Sequence, residues 1–273
     1  MAKKATKSVA KVVTPTGIGS VDRLANLSDA ECTIDAYVLA ASEYVRRSGD
    51  LGLGPKKAAQ IRLSNALGRA LLADLRLRLA QLRAVSGERK VSGALRTVNA
   101  DVSEIHDLDG LRLAIEIKPV NLAVGRALWN RFGDIRTFAV NLHLKFPFCV
   151  VGGVLAIPTY EASGTAQEIA AEIADSEADP LVEPKELAAI APQSASNRKS
   201  TTHLIERAIA RLIRAGGRKT EGDAPHLLEG IAVVVYDPDA GVLHHSLPAP
   251  GSGLRWDEFI ESIVSAYQSR FEL

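Results

Sequence analysis

Residues 109–119 read DGLRLAIEIKP, and their apolar side chains recur at every second position. This period of two predicts a strand with one buried face, formed by Leu111, Leu113, Ile115 and Ile117. The other face carries Glu116 and Lys118, which lie about 7 Å apart along a strand. A carboxylate buried on that face is costly unless it binds a cation or pairs with a charge. The strand therefore combines a core face with a candidate ionic site near its end.

The segments on either side of this strand differ in period. The N-terminal third is helical: a Ser28–Glu31 capping box opens a helix to about Arg47, and a long helix follows over residues 55–84. Two strands joined by a turn come next (95–105 and 111–119), and then helices alternate with apolar strands at 148–158 and 227–238. This order predicts an α/β fold with a mixed central sheet flanked by helices.

The expected domain organisation follows from the same pattern. Residues 1–20 are polar and rich in lysine, which predicts a basic flexible arm. We expect residues 21–273 to form a single domain, with a helical N-terminal part at 28–85 and a catalytic core at about 95–240.

Composition restricts the class of protein. The chain has 273 residues, 47% of them hydrophobic, and a formal net charge of +1. Its two cysteines, Cys32 and Cys149, are too few for a disulfide framework or a cysteine zinc site, and their apolar surroundings predict buried thiols. The longest apolar run, residues 146–158, is shorter than the ~20 residues that a membrane helix requires. We expect a cytoplasmic protein with no membrane partner.

The small net charge conceals an asymmetry along the chain. Residues 1–100 contain 17 Lys and Arg against 8 Asp and Glu, whereas residues 161–186 contain eight acids and one lysine. A basic half favours binding of a polyanion at one face. A solvated basic helix beside an acidic surface segment is the alternative interpretation.

A second carboxylate is available close to Glu116 in sequence. Asp109 precedes the strand, and Gly110 allows a tight turn that would bring Asp109 beside Glu116. Two carboxylates form an oxygen-rich site that suits Mg²⁺, and Lys118 beside them would assist a water nucleophile. Three other acids could take the place of Asp109 beside Glu116 or add a further carboxylate there: Asp107, Asp101 and Glu104.

The pattern Asp109-x6-Glu116-x-Lys118, followed by a helix and a buried strand, resembles the motif of the PD-(D/E)xK nuclease superfamily. That fold is shared by many type II restriction endonucleases, and it places one acid on a strand or turn and the (D/E)xK on the next strand. The resemblance implies that Asp109 and Glu116 bind the metal ion and that Lys118 is the catalytic lysine. It covers residues 95–160. Leu108 stands where the family motif has proline, so the first acid stays open.

This resemblance implies a Mg²⁺-dependent type II restriction endonuclease that cuts double-stranded DNA as a homodimer. A cognate DNA methyltransferase is then expected in the same system. One alternative is a repair or junction-cleaving nuclease of the same fold. Another is a non-catalytic DNA-binding protein in which Glu116 and Lys118 only pair.

Candidate DNA contacts lie outside the motif. The polar segment 194–202 precedes a helix, and Asn197, Arg198 and Lys199 within it suit phosphate binding. Arg131, in the helix that follows the motif, is a further candidate. The sequence YDPDAG at 236–241 is typical of a β-turn after a buried strand.

Overall fold

The computed structural model describes residues 17–162 and 198–271. Within these ranges a six-stranded sheet has the order β1-β2-β3-β4-β7-β8, and β5 pairs with β6 in a separate two-stranded sheet. The strands are β1 (Val85–Ser92), β2 (Thr97–His106), β3 (Gly110–Pro119), β4 (Val150–Pro158), β5 (Tyr160–Ala162), β6 (Arg198–Ser200), β7 (Gly230–Asp237) and β8 (Val242–Leu243).

Helices precede, separate and follow these strands. They are α1 (Gly19–Leu24), α2 (Ile34–Arg47), α3 (Leu53–Arg78), α4 (Val124–His143), α5 (Thr202–Leu212) and α6 (Trp256–Phe271), with a short 3₁₀ turn at Ser48–Asp50. None of the helices in the described ranges combines the length and the apolar composition needed to cross a membrane.

The large sheet is mixed, as predicted. Strands β1, β2 and β3 pair antiparallel, β3 pairs parallel with β4, β4 pairs parallel with β7, and β7 turns back into β8. The expected α/β class with helices flanking a mixed sheet is therefore confirmed. The YDPDAG turn is also confirmed, because Asp237 Oδ1 accepts a hydrogen bond from the Asp239 N–H at 2.8 Å and the chain continues into β8.

Two apolar cores cover the two faces of the sheet. Helices α1, α2, α3 and α6 pack on one face, and α4 and α5 pack on the other. Leu113, Ile115 and Ile117 point into the first core as expected. Leu111 belongs to the second core, because the β2–β3 register shifts between Glu104 and Ile105 and reverses the alternation there.

Three local expectations differ from the structure. Helix α3 ends at Arg78, before the predicted end of the helical part at residue 85. The sequence does not predict strand β1, because this edge strand is almost wholly exposed and has no apolar period. The Ser28–Glu31 box forms, with the Ser28 N–H donating to Glu31 Oε2 at 2.9 Å, but it closes a turn. Helix α2 begins later, with Thr33 as its N-cap. Ile18 is buried, so residues 18–20 of the expected arm belong to the folded part.

Candidate active site

Glu116 and Lys118 lie near the end of β3, on the face that α4 covers. The Lys118 ammonium pairs with Glu116 Oε1, and the Glu116 side chain is 10% exposed whereas the Lys118 side chain is 24% exposed. The carboxylate is therefore largely removed from water while its lysine partner reaches solvent. The predicted proximity of these two side chains is present in the structure.

A second carboxylate, that of Asp101, reaches Glu116 and Lys118 from β2. Asp101 Oδ2 accepts a hydrogen bond from the backbone N–H of Ile117 at 2.6 Å. Regular pairing of the two strands ends at Val102 and Ile115, so this side chain takes the place of the next backbone bond. Asp101 thus reaches across to β3 at the residue that lies between Glu116 and Lys118.

A β-bulge in β1 stands opposite Asp101. The β1–β2 register shifts between Ser86 and Arg89, and Gly87 within the bulge has φ +112°, a conformation that favours glycine. The bulge brings Glu88 close enough for its charge to act on Asp101. Sequence analysis missed Glu88, and its signal was the Gly-Glu pair inside a polar edge strand.

Helix α4 approaches the sheet closely beside Glu116. Glu116 is paired with Gly153 of β4, and a Cβ on that glycine would lie 2.6 Å from Ile135 Cγ2. Ile135 can pack at this point only because residue 153 is a glycine and has no side chain. The adjacent Asp134 is then close enough for its charge to act on Glu116. Sequence analysis did not single out Asp134 as a member of this site.

Burial and like charges disfavour ionisation at the site. Burial raises the pKa of Glu116 to about 7, against the lowering effect of Lys118, and the charges of Asp101 and Asp134 raise it further. Burial also raises the pKa of Asp101; the Ile117 N–H and Lys118 lower it, and Glu88 raises it. A bound cation would reverse this balance, because an opposite charge favours the ionised carboxylates.

Asp109, the expected first acid, is not brought to Glu116. It lies in the turn before β3, and the separation of seven positions from Glu116 spans about 20 Å of extended chain. Its Oδ2 accepts a hydrogen bond from Arg112 Nε at 2.7 Å. The Asp-Gly turn closes the β2–β3 hairpin at the end of the strand remote from Glu116. This placement corrects the expectation and leaves Asp101 as the adjacent acid.

The other two competitors also lie away from Glu116. Asp107 is exposed in the same turn as Asp109. Glu104 is buried and accepts hydrogen bonds from the Arg83 N–H at 3.0 Å and the Tyr267 hydroxyl at 2.6 Å, so it anchors α6 and the start of β1 to the sheet.

The predicted DNA-contacting residues are dispersed. Arg131 pairs with Asp134 at 3.0 Å on α4. Arg198 pairs with Asp239 at 2.6 Å and stacks over Tyr160, and Lys199 stands opposite Glu161 in the small sheet. Asn197 lies outside the described residues. The Arg198 side chain therefore makes its contacts within the protein in this structure.

The donor set fits a hard divalent ion with a partly open coordination shell. In the ranges that the structure describes there is no group of three or more His, Cys, Asp and Glu side chains that could hold a metal ion. Mg²⁺ is commonly held by one or two carboxylates and completes its shell with waters and substrate phosphates. Asp101 and Glu116 supply two such carboxylates. The nearby negative charges of Glu88 and Asp134 increase the attraction for a cation.

The described residues thus form an α/β protein with one buried and one partly buried carboxylate and a lysine at one end of a mixed sheet. No family model, no curated protein and no solved structure matches the chain in the comparisons. The function of the site is therefore inferred from its own geometry and chemistry.

Proposed function

We propose that the protein is a Mg²⁺-dependent endonuclease that hydrolyses phosphodiester bonds of double-stranded DNA at Asp101, Glu116 and Lys118. The observation that carries this proposal is the meeting of two desolvated carboxylates from neighbouring strands beside a lysine that reaches solvent. A purely structural ion pair would need one carboxylate, and the second one makes the unliganded site electrostatically unfavourable.

The order of elements supports the same family resemblance that the sequence suggested. An acid on β2 precedes Glu116-x-Lys118 on β3, and a helix and a buried central strand follow. With Asp101 as the first acid, the interval to Glu116 is fourteen residues rather than six. The restriction-type specificity, the homodimer and the cognate methyltransferase remain part of this proposal and rest on the resemblance.

The chemistry divides among the three side chains. Asp101 and Glu116 would hold the ion, which when bound neutralises charge that develops on the phosphate. Lys118 Nζ orients the attacking water and adds a positive charge beside the phosphate oxygens. The water oxygen bonds to phosphorus as the bond from phosphorus to the sugar oxygen breaks. The water releases a proton to solvent, and the leaving oxygen takes one up.

Cleavage of a supercoiled plasmid with Mg²⁺ tests the proposal. The parent protein should linearise or nick the plasmid, and Glu116→Gln and Lys118→Ala should lower the rate by about 100-fold or more. Both variants should still bind DNA, which shows that they are folded. Variants that cut as fast as the parent would remove the site from the reaction.

Two further measurements separate the alternatives. Discrete bands from plasmid digestion indicate a sequence-specific enzyme, whereas preference for branched over plain DNA indicates a junction-cleaving enzyme. Calorimetric titration with Ca²⁺ distinguishes a metal site from a simple Glu116–Lys118 ion pair. The proposal requires binding by the parent that Glu116→Gln abolishes, and an absence of binding together with an absence of cleavage favours a non-catalytic protein.

A further inference from the structure

The turn between β1 and β2 is held on α4 by one side chain. Asn141 Oδ1 accepts hydrogen bonds from the backbone N–H groups of Leu95 at 2.7 Å and Arg96 at 3.1 Å, and Asn141 Nδ2 donates to the Arg96 carbonyl at 2.8 Å. The backbone carbonyl of Asn141 accepts the Ala94 N–H at 2.9 Å. Asn141 is fully buried, so these bonds are shielded from water. A single residue of α4 therefore satisfies four backbone groups of the turn.

The contact requires an amide in one orientation. The two backbone N–H groups need an acceptor and the carbonyl needs a donor, and an amide side chain supplies both. An aspartate of the same size would place a second oxygen against the Arg96 carbonyl. Gly93 also lies close to the amide, because an added Cβ would lie 2.2 Å from Asn141 Nδ2. The turn is therefore held closely against α4.

The turn ends a segment in which the β1–β2 pair has parted from β3. Pairing of β2 with β3 ends at Val102, and residues 97–100 pair only with β1, which is the edge of the sheet. We call residues 89–101 the β1–β2 arm. Asp101 belongs to this arm, and its carboxylate accepts the Ile117 N–H of β3. Because regular strand pairing does not hold the arm to β3, its position depends on that bond and on its contacts with α4.

Helix α4 connects the β1–β2 arm to Glu116. Apolar side chains of the arm and of α4 belong to the same core. Ile135 of α4 packs against Gly153, the β4 residue that pairs with Glu116. Asp134, whose charge acts on Glu116, is seven positions before Asn141, so the two lie on the same side of the helix and about 10 Å apart along its axis. The helix is thus fixed beside Glu116 at one point and beside the turn of the arm at another.

We propose that Asn141 is a positioning residue that holds Asp101 of the β1–β2 arm beside Glu116. Asn141 acts through the arm, because its side-chain bonds go to the turn and not to either carboxylate. When these bonds are lost, the arm can move away from α4 and carry the Asp101 carboxylate with it. The effect on metal binding rests on the proposed function, whereas the effect on the bond between Asp101 and Ile117 does not.

Calorimetric titration of the full-length protein with Ca²⁺ tests the effect at the candidate metal site. Asn141→Ala should weaken Ca²⁺ binding by about 10-fold, the lower end of the range for residues that orient metal ligands. Asn130→Ala on the same helix is the matched control. The Asn130 amide is exposed and donates to the Arg126 carbonyl within α4, so this variant should bind Ca²⁺ like the parent.

Hydrogen exchange of the Ile117 amide in EDTA tests the position of Asp101 without metal. Loss of Asn141 should accelerate this exchange by about 10-fold or more, because the Asp101 carboxylate no longer protects the N–H. The Val120 N–H, which donates to the Ala156 carbonyl at 2.7 Å, reports general loss of stability and should change much less. Asn141→Asp keeps the two accepted bonds and should act in the same direction but more weakly, which covers the case of a misfolded Asn141→Ala variant.

Selective acceleration at Ile117 distinguishes a positioning role from a general contribution to stability. Equal acceleration at Ile117 and Val120, or an unchanged Ile117 rate, would overturn the proposal. So would a loss of Ca²⁺ affinity in Asn130→Ala as large as that in Asn141→Ala. Selective acceleration at Ile117 in a protein that neither binds Ca²⁺ nor cleaves DNA would refute the proposed function while leaving the role of Asn141 intact.

Discussion

The carboxylate of Asp101 on β2 accepts the backbone N–H of Ile117 on β3 at 2.6 Å. This bond lies between the two charged side chains of the Glu116-x-Lys118 segment, so it fixes a second carboxylate at the candidate site. It also explains why regular pairing of the strands stops at Val102 and Ile115. The position of the first acid is therefore set by a side-chain contact between strands and not by the hairpin turn.

Exchanging the acids one at a time tests this assignment. Asp101→Asn keeps an oxygen that accepts the Ile117 N–H but loses the charge, so we expect Mg²⁺-dependent cleavage to decrease by about 100-fold or more. Asp109→Asn alters a carboxylate that pairs with Arg112 at the hairpin turn and should cut within a few-fold of the parent. Plasmid cleavage rates and Ca²⁺ calorimetry measure both effects. A severe loss in Asp109→Asn with an active Asp101→Asn would restore the original assignment.

The sequence was sufficient for the parts of this fold that have strong periodicity. Strand β3 and the neighbouring Glu116 and Lys118 follow from alternation alone, and most of the apolar face lies where that pattern predicts. The acid that lies beside Glu116 could not be identified from this alternation. Asp109 satisfied the local turn chemistry, but it stands a strand length away from Glu116, and only the register of β2 against β3 brings Asp101 into place.

Strand β1 is a second feature that the sequence pattern could not predict. Its residues are polar and exposed because it is the edge of the sheet, so no apolar pattern distinguishes it from a loop. The bulge that presents Glu88 to Asp101 depends on pairing with β2, which is a tertiary contact. The role of Asp134 likewise depends on how closely α4 packs on Gly153.

The raised pKa of Glu116 predicts a pH-dependent stability of the metal-free protein. Its folded pKa is about 7 against an ordinary value of 4.5, so the folded state binds the proton more tightly and loses stability as pH rises through this window. A pKa change of this size corresponds to about 3 kcal/mol of unfolding free energy. Urea unfolding in EDTA at several pH values should show a shallower decline for Glu116→Gln than for the parent.

Adding Mg²⁺ provides the control for this prediction. If the ion binds the ionised carboxylates, it should stabilise the parent most at the upper end of the window and have little effect on Glu116→Gln. Parallel pH profiles for the parent and the variant, with and without Mg²⁺, would contradict the electrostatic account of the site.

A different carboxylate, Glu229, is expected to be purely structural. It pairs with Arg218 at 2.9 Å and Arg270 at 2.8 Å, contacts His143, and accepts the Val151 N–H, all in the interior. Glu229→Gln leaves two buried guanidinium groups without a counter-charge and should destabilise the fold by about 3–5 kcal/mol in urea unfolding.

The acid sensitivity of Glu229 has the opposite sign to that of Glu116. Burial would raise the pKa of Glu229, but His143, Arg270 and the Val151 N–H hold it below its ordinary value. The contribution of Glu229 to the stability of the fold is therefore complete above about pH 4.5 and is lost as pH decreases below that value. Asp239→Asn, which disrupts the exposed pair with Arg198, serves as control and should cost under about 1 kcal/mol. Equal costs for the two variants would contradict a structural role for the buried cluster.

Close packing of α4 beside Glu116 predicts that Gly153→Ala is damaging. The new Cβ would lie 2.6 Å from Ile135 Cγ2, so α4 or the side chain has to shift, at a typical cost of about 1–3 kcal/mol. A shift of α4 would also move Asp134 relative to Glu116 and should slow Mg²⁺-dependent cleavage. Thermal unfolding and plasmid cleavage measure the two effects.

A double-mutant cycle with Ile135→Ala determines whether this contact is the cause. Ile135→Ala removes the clashing methyl group, so the double variant should be more stable than the sum of the single changes predicts. Gly133→Ala on the same helix has open space around its new Cβ and should stabilise the fold by about 0.5–1 kcal/mol. If Gly153→Ala proved as harmless as Gly133→Ala, α4 would not be held against β4 at this point, and the charge of Asp134 would have no fixed relation to Glu116.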